Sequence, residues 1–302
     1  MQLLDGIKRV VKDPPPEFAF EISSEGLAWA ETARPSETHL HKFPDGVLSV
    51  NPVKPNFSDA AALTQALREC LPPPPGRPAT RLAVLVLPDY CSRTTVLDFD
   101  SFPPAVEEQV ALARFRVKRT VPFEIEDALI ACYPQPRKNG SKGLDVVTVA
   151  IGREIASQYT VPFHNAGFQC GLITLSGLAA LSLDDANPDA PAQWIQVKLA
   201  GRVLTVCLVD RGALRMFRSV ELDHATVGEM VEILAPTLAY AEDELGERPS
   251  SLRLCGFGTD DEAGEKLGAE LNLTVQSVLS PLGTLGASNA GLLGMLATTE
   301  VR

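Results

Sequence analysis

Two glycines one residue apart, Gly256 and Gly258, stand where the apolar run Ser251–Cys255 gives way to a polar, helix-like stretch. A dinucleotide fingerprint begins this way, because glycine lets backbone N–H groups approach a phosphate. The third glycine is missing, since Asp261 holds its place, so the pair reads as a tight strand-to-helix turn. Other reactive residue types are dispersed. His39 and His41 would share one face of a strand, but His164 and His224 lie far off and no second ligand set is evident. The six cysteines, Cys70, Cys91, Cys132, Cys170, Cys207 and Cys255, form no C-x-x-C, which points to reduced thiols in a cytosolic protein and away from zinc. No Walker A, G-x-S-x-G or H-E-x-x-H motif occurs. The residues therefore predict no catalytic group and no metal site. One cluster of charge stands out: Arg114, Arg116, Lys118 and Arg119 crowd the end of a helix that Glu107 and Glu108 open. These cations either complement the helix dipole, at ~0.3–1 kcal/mol per charge, or form the basic rim of a peptide-binding groove. Val106, Val110, Ala113 and Val117 form a separate apolar stripe expected in the core.

The chain that must position these groups has 302 residues, 45% apolar and 22% charged, which is ordinary globular composition with room for two domains. Lys and Arg number 27 against 38 Asp and Glu, a net charge of −11. That balance disfavours nucleic acid and unaided binding to anionic lipid. No apolar stretch reaches the ~18 residues of a membrane span, and no secretory apolar core opens the chain. A cytoplasmic protein without direct membrane insertion is expected.

The element pattern starts with an amphipathic helix over 1–12, stopped by Pro14-Pro15-Pro16. A hairpin follows through Phe18–Ile22 and Leu27–Ala30, turning at Gly26, then a third strand or pair over 38–50. Ser58 is a plausible N-cap for a helix to about Leu71, and Pro72–Pro75 form a spacer. Leu82–Leu87 is continuously apolar, the mark of a central strand covered on both faces. Residues 95–136 look inserted, with a strand, a helix over 104–120 and a strand over 128–133. The sheet is expected to resume with Asp145–Gly152, followed by a helix over 153–166 and a strand over 169–175. Three strands then recur (194–198, 202–210, 213–220), followed by a helix over 225–245, a strand over 251–255, a helix over 260–271, a strand over 274–277 and a terminal helix over about 284–297. A three-strand meander followed by helix, strand and helix thus occurs twice. The expected organisation is a lead at 1–16, a first lobe at 17–190 with a subdomain inserted at about 88–136, and a second lobe at 191–302. The second lobe's own insertion is missing or reduced, and the terminal helix packs back on the core.

This element order resembles the actin-like (ribonuclease H-like) ATPase fold. The local wording resembles PilM, the cytoplasmic actin-like family of type IV pilus assembly. Glu107–Ala113 with Val121–Asp127, Val147–Gly152 with Arg153–Ala156, and His164–Phe168 carry the likeness, and Ser251–Gly258 looks like that family's glycine-rich adenosine strand. The L-protein of type II secretion has a related cytoplasmic domain.

The resemblance implies a nucleotide site between two hairpin tips, where backbone N–H groups meet phosphate and a carboxylate ligates magnesium. Here Glu21 stands where the family has aspartate and Ser23 where it has glycine, with Ser24 beside it. In the second hairpin Lys198 replaces the acidic residue and Ala200 the first glycine, followed by Gly201. Asp223-His224-Ala225 replaces a glycine pair, and 225–250 has room for one long helix in place of a purine-contacting subdomain. A degenerate site is expected, without cofactor or ATPase activity. The resemblance further implies a scaffold that docks the N-terminal cytoplasmic tail of a PilN-like bitopic inner-membrane protein, and that couples to the pilus platform or motor. The alternatives are a nucleotide-binding actin-like ATPase of the same machinery and the cytoplasmic component of a type II secretion system. A sugar-kinase-like enzyme would need a catalytic acid opposite an intact phosphate site, and none can be assigned.

Overall fold

The computed structural model describes residues 15–71, 80–137, 142–185, 191–257 and 261–300. The helix expected over 1–12, the Pro72–Pro75 spacer and Gly258 lie outside them.

The first part of the chain forms β1 (Phe18–Ser23), β2 (Gly26–Glu31), β3 (His39–Lys42), α1 (Ala62–Cys70) and β4 (Arg81–Leu87). A short 3₁₀ turn at Asp89–Cys91 leads into β5 (Arg93–Phe99), α2 (Val106–Val117), β6 (Leu129–Pro136) and β7 (Leu144–Ile151). Then come α3 (Arg153–Asn165), β8 (Phe168–Leu175), α4 (Ser176–Ala180) and α5 (Ser182–Asp185). The second part forms β9 (Gln193–Ala200), β10 (Val203–Asp210), β11 (Ala213–Glu221), α6 (Val227–Leu245), β12 (Ser251–Cys255), α7 (Asp261–Leu271), β13 (Thr274–Ser277) and α8 (Ala290–Glu300).

Two five-stranded sheets share one plan. The first runs β3-β2-β1-β4-β8 and the second β11-β10-β9-β12-β13, each an antiparallel meander extended by parallel strands. β4 lies inside its sheet between β1 and β8, as its unbroken apolar run requires. Gly26 opens β2 where a Cβ would run into the His41 carbonyl of β3, so the tight hairpin needs glycine there. The main core joins the lobes: Phe20, Leu85, Tyr159 and Phe163 pack with Trp194, Cys207, Val209 and Phe217.

A third sheet, β5-β7-β6, corrects the expectation that 145–152 returns to the first sheet. β7 pairs antiparallel with both β5 and β6. Its apolar run reflects cover on both faces: Val147 and Ile151 enter the main core, while Ala150 packs with Val117, Ile125 and Ala128 beneath α2. The inserted unit therefore continues to Ile151, and the first sheet resumes at β8.

Smaller differences have local causes. Ser58 does not cap α1; its hydroxyl donates to the Gly46 carbonyl, and Asp59 accepts the Ala61 N–H instead. α8 begins at Ala290, later than expected, because Asn289 ties back the preceding turn by accepting the Gly286 N–H. α6 is closed at both ends, by a Thr226–Glu229 capping box and by Gly246 at φ 78°. α8 packs on α4, α5 and β1. A Cβ on Gly294 would overlap the Ala179 carbonyl, and one on Gly291 would meet Val86 and Ser176 at 2.7–2.8 Å, so the approach depends on these two glycines.

All six cysteines are thiols, with Cys91, Cys207 and Cys255 buried. Among the described residues no helix is long and apolar enough to cross a membrane, and no group of His, Cys, Asp and Glu is placed to hold a metal ion.

Candidate functional site

The hairpin tips of β1–β2 and β9–β10 meet between the lobes. Ser24 Oγ lies 3.0 Å from where a Cβ on Gly201 would stand, so a side chain there would have to push the Ser24 hydroxyl aside. Behind the tips is a cavity of ≈ 20 Å³ lined by Glu21, Ser23, Ser24, Asp89, Ser176, Lys198 and Ala200, among others. That is room for about one water.

Three buried charges face this space. Glu21 on β1 is 1% exposed. It accepts the Leu292 N–H at 2.8 Å and the Ser176 hydroxyl. Burial pushes its carboxyl above the usual range, against the pull of Lys198 and of these two donors. Asp89 sits in the turn that follows β4. Its Oδ1 accepts the Gly177 N–H at 2.6 Å, and its Oδ2 accepts the Thr205 hydroxyl at 2.9 Å. Lys198 on β9 reaches across from the second lobe and places Nζ 3.4 Å from Asp89 Oδ2. Burial works against its ammonium, but the Asp89 and Glu21 carboxylates and the Cys255 thiol outweigh it, and its pKa is raised. A Cβ at Gly177 would lie 3.1 Å from both Asp89 oxygens, so glycine is what admits the carboxylate to the start of α4.

The structure thus brings Glu21, Ser23, Ser24, Lys198, Ala200 and Gly201 to one place. It adds Asp89, Ser176, Gly177 and Thr205, which the sequence reading missed. Their signals were faint: an aspartate directly after the proline that ends a buried strand, and a Ser-Gly pair at a strand-to-helix junction. Gly256 is close by for a packing reason, since a Cβ there would stand 2.6 Å from the Leu199 carbonyl oxygen and 3.2 Å from Ala287 Cα. Asp223 and His224 are not at the cavity; their N–H groups donate to the Glu229 carboxylate that caps α6.

A magnesium nucleotide does not fit these residues as they stand. The Lys198 ammonium stands 3.4 Å from Asp89 Oδ2, where a metal would need a free carboxylate. Both Asp89 oxygens already have partners, and a lysine cannot ligate magnesium.

Arg114 and Arg116 lie in the last turn of α2, where they complement its dipole, and each also has specific partners. Arg114 donates to the carbonyls of Ile125, Glu126 and Ala128, tying α2 to the loop before β6. Arg116 donates to Asp98 Oδ1 at 3.1 Å and lies over the Phe99 ring. Arg114 is thus an internal tie of the inserted unit, while Arg116, with its side chain 39% exposed, stays at the surface beside Asp98. Lys118 pairs with Glu126 at 2.6 Å on the surface, and Arg119 is exposed. Of the apolar stripe, Ala113 and Val117 are buried, whereas Val106 is exposed, as is Phe115 at 77%. His39 stacks on Trp29, and His41 lies 3.8 Å from Glu69.

No family model matches the chain, and no curated protein matches it in sequence. Solved structures do. Over 94% of its length the chain is similar to 99% of a chain in a PilM–PilN type IV pilus biogenesis complex, at 17% identity and a TM-score of 0.76. It is similar over 93% of its length to 95% of a Bacteroides thetaiotaomicron protein described as having an actin-like ATPase fold and unknown function, at 15% identity and a TM-score of 0.55. The cytoplasmic domain of EpsL, an inner-membrane component of the type II secretion system of Vibrio cholerae, matches at 14% identity and a TM-score of 0.50, with 93% of this chain and 94% of that one covered. At such identities the likeness establishes the fold, which is the two-lobed actin-like α/β fold.

Proposed function

We propose that this chain, an actin-like fold of the PilM kind, is a non-catalytic cytoplasmic scaffold of a type IV pilus assembly complex. In this reading it docks the N-terminal tail of a PilN-like bitopic inner-membrane protein and passes that contact to platform or motor components. The lobes divide at about 190/191, and the tail seats on the first lobe beside its inserted unit. Of the α2 cations, Arg116, Lys118 and Arg119 are at the surface to steer it. Membrane attachment comes through the partner.

The observation that carries the non-catalytic part is the Lys198–Asp89 pair, which puts a buried cation of the chain where a bound metal and phosphate would need space. Likeness in fold to a PilM–PilN complex supports the partner class. A second reading, the cytoplasmic component of a type II secretion system, draws on the likeness to EpsL, at a lower TM-score.

Two titrations test the proposal. A ligand present at 100 times its dissociation constant adds ~2.7 kcal/mol of stability, which a melting curve resolves easily. Millimolar Mg-ATP is expected to leave the melting temperature unchanged, and a clear rise would overturn the non-catalytic reading. A peptide copied from the N-terminus of a PilN-like bitopic protein from the same source is expected to bind in calorimetry. Absence of binding would overturn the docking role.

A further inference from the structure

The inserted unit grows from the first lobe but is fastened to the second. Gln135 of β6 is 5% exposed and turns its side-chain amide onto the backbone of β11. Its Nε2 donates to the Leu214 carbonyl, and its Oε1 accepts the Leu214 N–H at 3.0 Å, so one side chain imitates a strand partner. The next residue completes the clip. Between β10 and β11 the register steps from Leu208↔Met216 to Val209↔Leu214, which leaves Arg215 as the extra residue of a bulge. A bulge re-aims its side chain, and Arg215 here donates to the Pro136 carbonyl at 3.0 Å and to Asp145 Oδ2 at 2.7 Å.

This clip is joined to the cleft by a short path. The turn at Asp89–Cys91 packs on β10 and β11, and one residue beyond it Arg93 begins β5, which also packs on β11. Asp89 at the head of that path holds the Gly177 N–H, the Thr205 hydroxyl and the Lys198 ammonium. We propose that the two lobes are held closed by two latches acting as one device, Asp89–Lys198 in the cleft and Gln135/Arg215 at the inserted unit. Opening either latch loosens the other through the turn and β11. The inserted unit then sets lobe closure without any ligand in the cleft. This deepens the scaffold reading and rests on its claim that the cleft works without nucleotide; it does not depend on which partner docks.

The test is amide exchange on the full-length chain, without nucleotide, for wild type, Gln135→Ala and Gln135→Met. The methionine variant keeps the length and volume of the side chain, removes both hydrogen bonds to Leu214 and buries no charge, so it disturbs folding least. The readout is the Gly177 amide in the cleft, measured against the Leu254 amide inside the second sheet. The expected result is that Gly177 exchanges at least about tenfold faster relative to Leu254 in the variants, because a shared opening exposes it. If the Leu214 amide alone accelerates, the clip is a local contact and the device is refuted. Equal acceleration of Gly177 and Leu254 also refutes it, in favour of general loosening. The Mg-ATP titration probes a different claim, so failure of the two can be told apart.

Discussion

The ammonium of Lys198 lies 3.4 Å from Asp89 Oδ2, and the two residues are 109 apart in the chain. Each is almost fully buried, and each belongs to a different lobe. The remaining acceptor capacity of Asp89 is met by the Gly177 N–H and the Thr205 hydroxyl. A buried pair this well surrounded adds modest net stability, but removing one member strands the other charge without solvent.

Lys198→Met should therefore cost about 3–5 kcal/mol, most of it from the stranded Asp89 carboxylate. Asp89→Asn in the same chain should return a large part of that loss, because asparagine can still accept from Gly177 and donate to the Thr205 hydroxyl. Urea unfolding of wild type, single and double variants at neutral pH measures it. A double variant no more stable than Lys198→Met would show that the charge is not what costs.

The cleft charges also set a pH dependence. The Glu21 carboxyl is raised above 4.5, so it holds its proton more tightly folded than unfolded. Its contribution is complete below about pH 4.5 and is lost as pH climbs through the folded value. Glu21→Gln stays neutral, accepts from Leu292 and donates to Ser176, so it should gain on wild type as pH rises across that window. The raised pKa of Lys198 contributes fully below 10.5 and is lost only as pH passes its folded value, so it leaves the acid window untouched. Unfolding free energies of the two proteins from about pH 4 to 8 read the difference directly.

Arg114→Ala should destabilise the inserted unit by about 1–3 kcal/mol, since three carbonyls lose a charged donor. Lys118→Ala, which breaks an exposed pair, should leave the melting temperature where it is. Thermal unfolding of the two variants side by side separates the tie from the surface contact. A charge reversal meant to probe partner steering belongs at Arg119, away from the Arg114 fold contact.

Gly294→Ala should cost at least about 1–3 kcal/mol, because the added methyl overlaps the Ala179 carbonyl and pushes α8 off α4. The same displacement withdraws the Leu292 N–H from Glu21, so near-ultraviolet circular dichroism and the melting temperature should change together. Gly283→Ala lies where a Cβ meets nothing, although at φ 135° it carries backbone strain; it serves as the control for strain without collision.

Much of this architecture was readable in the residues. The β1–β2 hairpin and the β9–β11 meander announced themselves by apolar runs broken at glycines, and the helix expected over 225–245 is found at Val227–Leu245. The oddity of Lys198 was plain as well. The misplacement of β7 has a general cause: a continuous apolar run reports that both faces are covered but says nothing about which strands it pairs with. Asp89 escaped because its partners lie 88 to 116 residues further on, and no local pattern encodes that convergence. The ties of Arg114 could not be read, because a cation near a helix end looks the same whether it faces water or the carbonyls of the following loop.

Cys91 lies in the same turn as Asp89, buried, with its thiol pushed far up by that burial and by the neighbouring carboxylate. Such a thiol is inert toward alkylating reagents while the turn stays packed on β10 and β11. The chain therefore carries a native timer of its own opening. The rate at which Cys91 itself takes up a thiol-reactive label, read by peptide mass apart from the partly exposed Cys70, Cys132 and Cys170, counts excursions of the cleft.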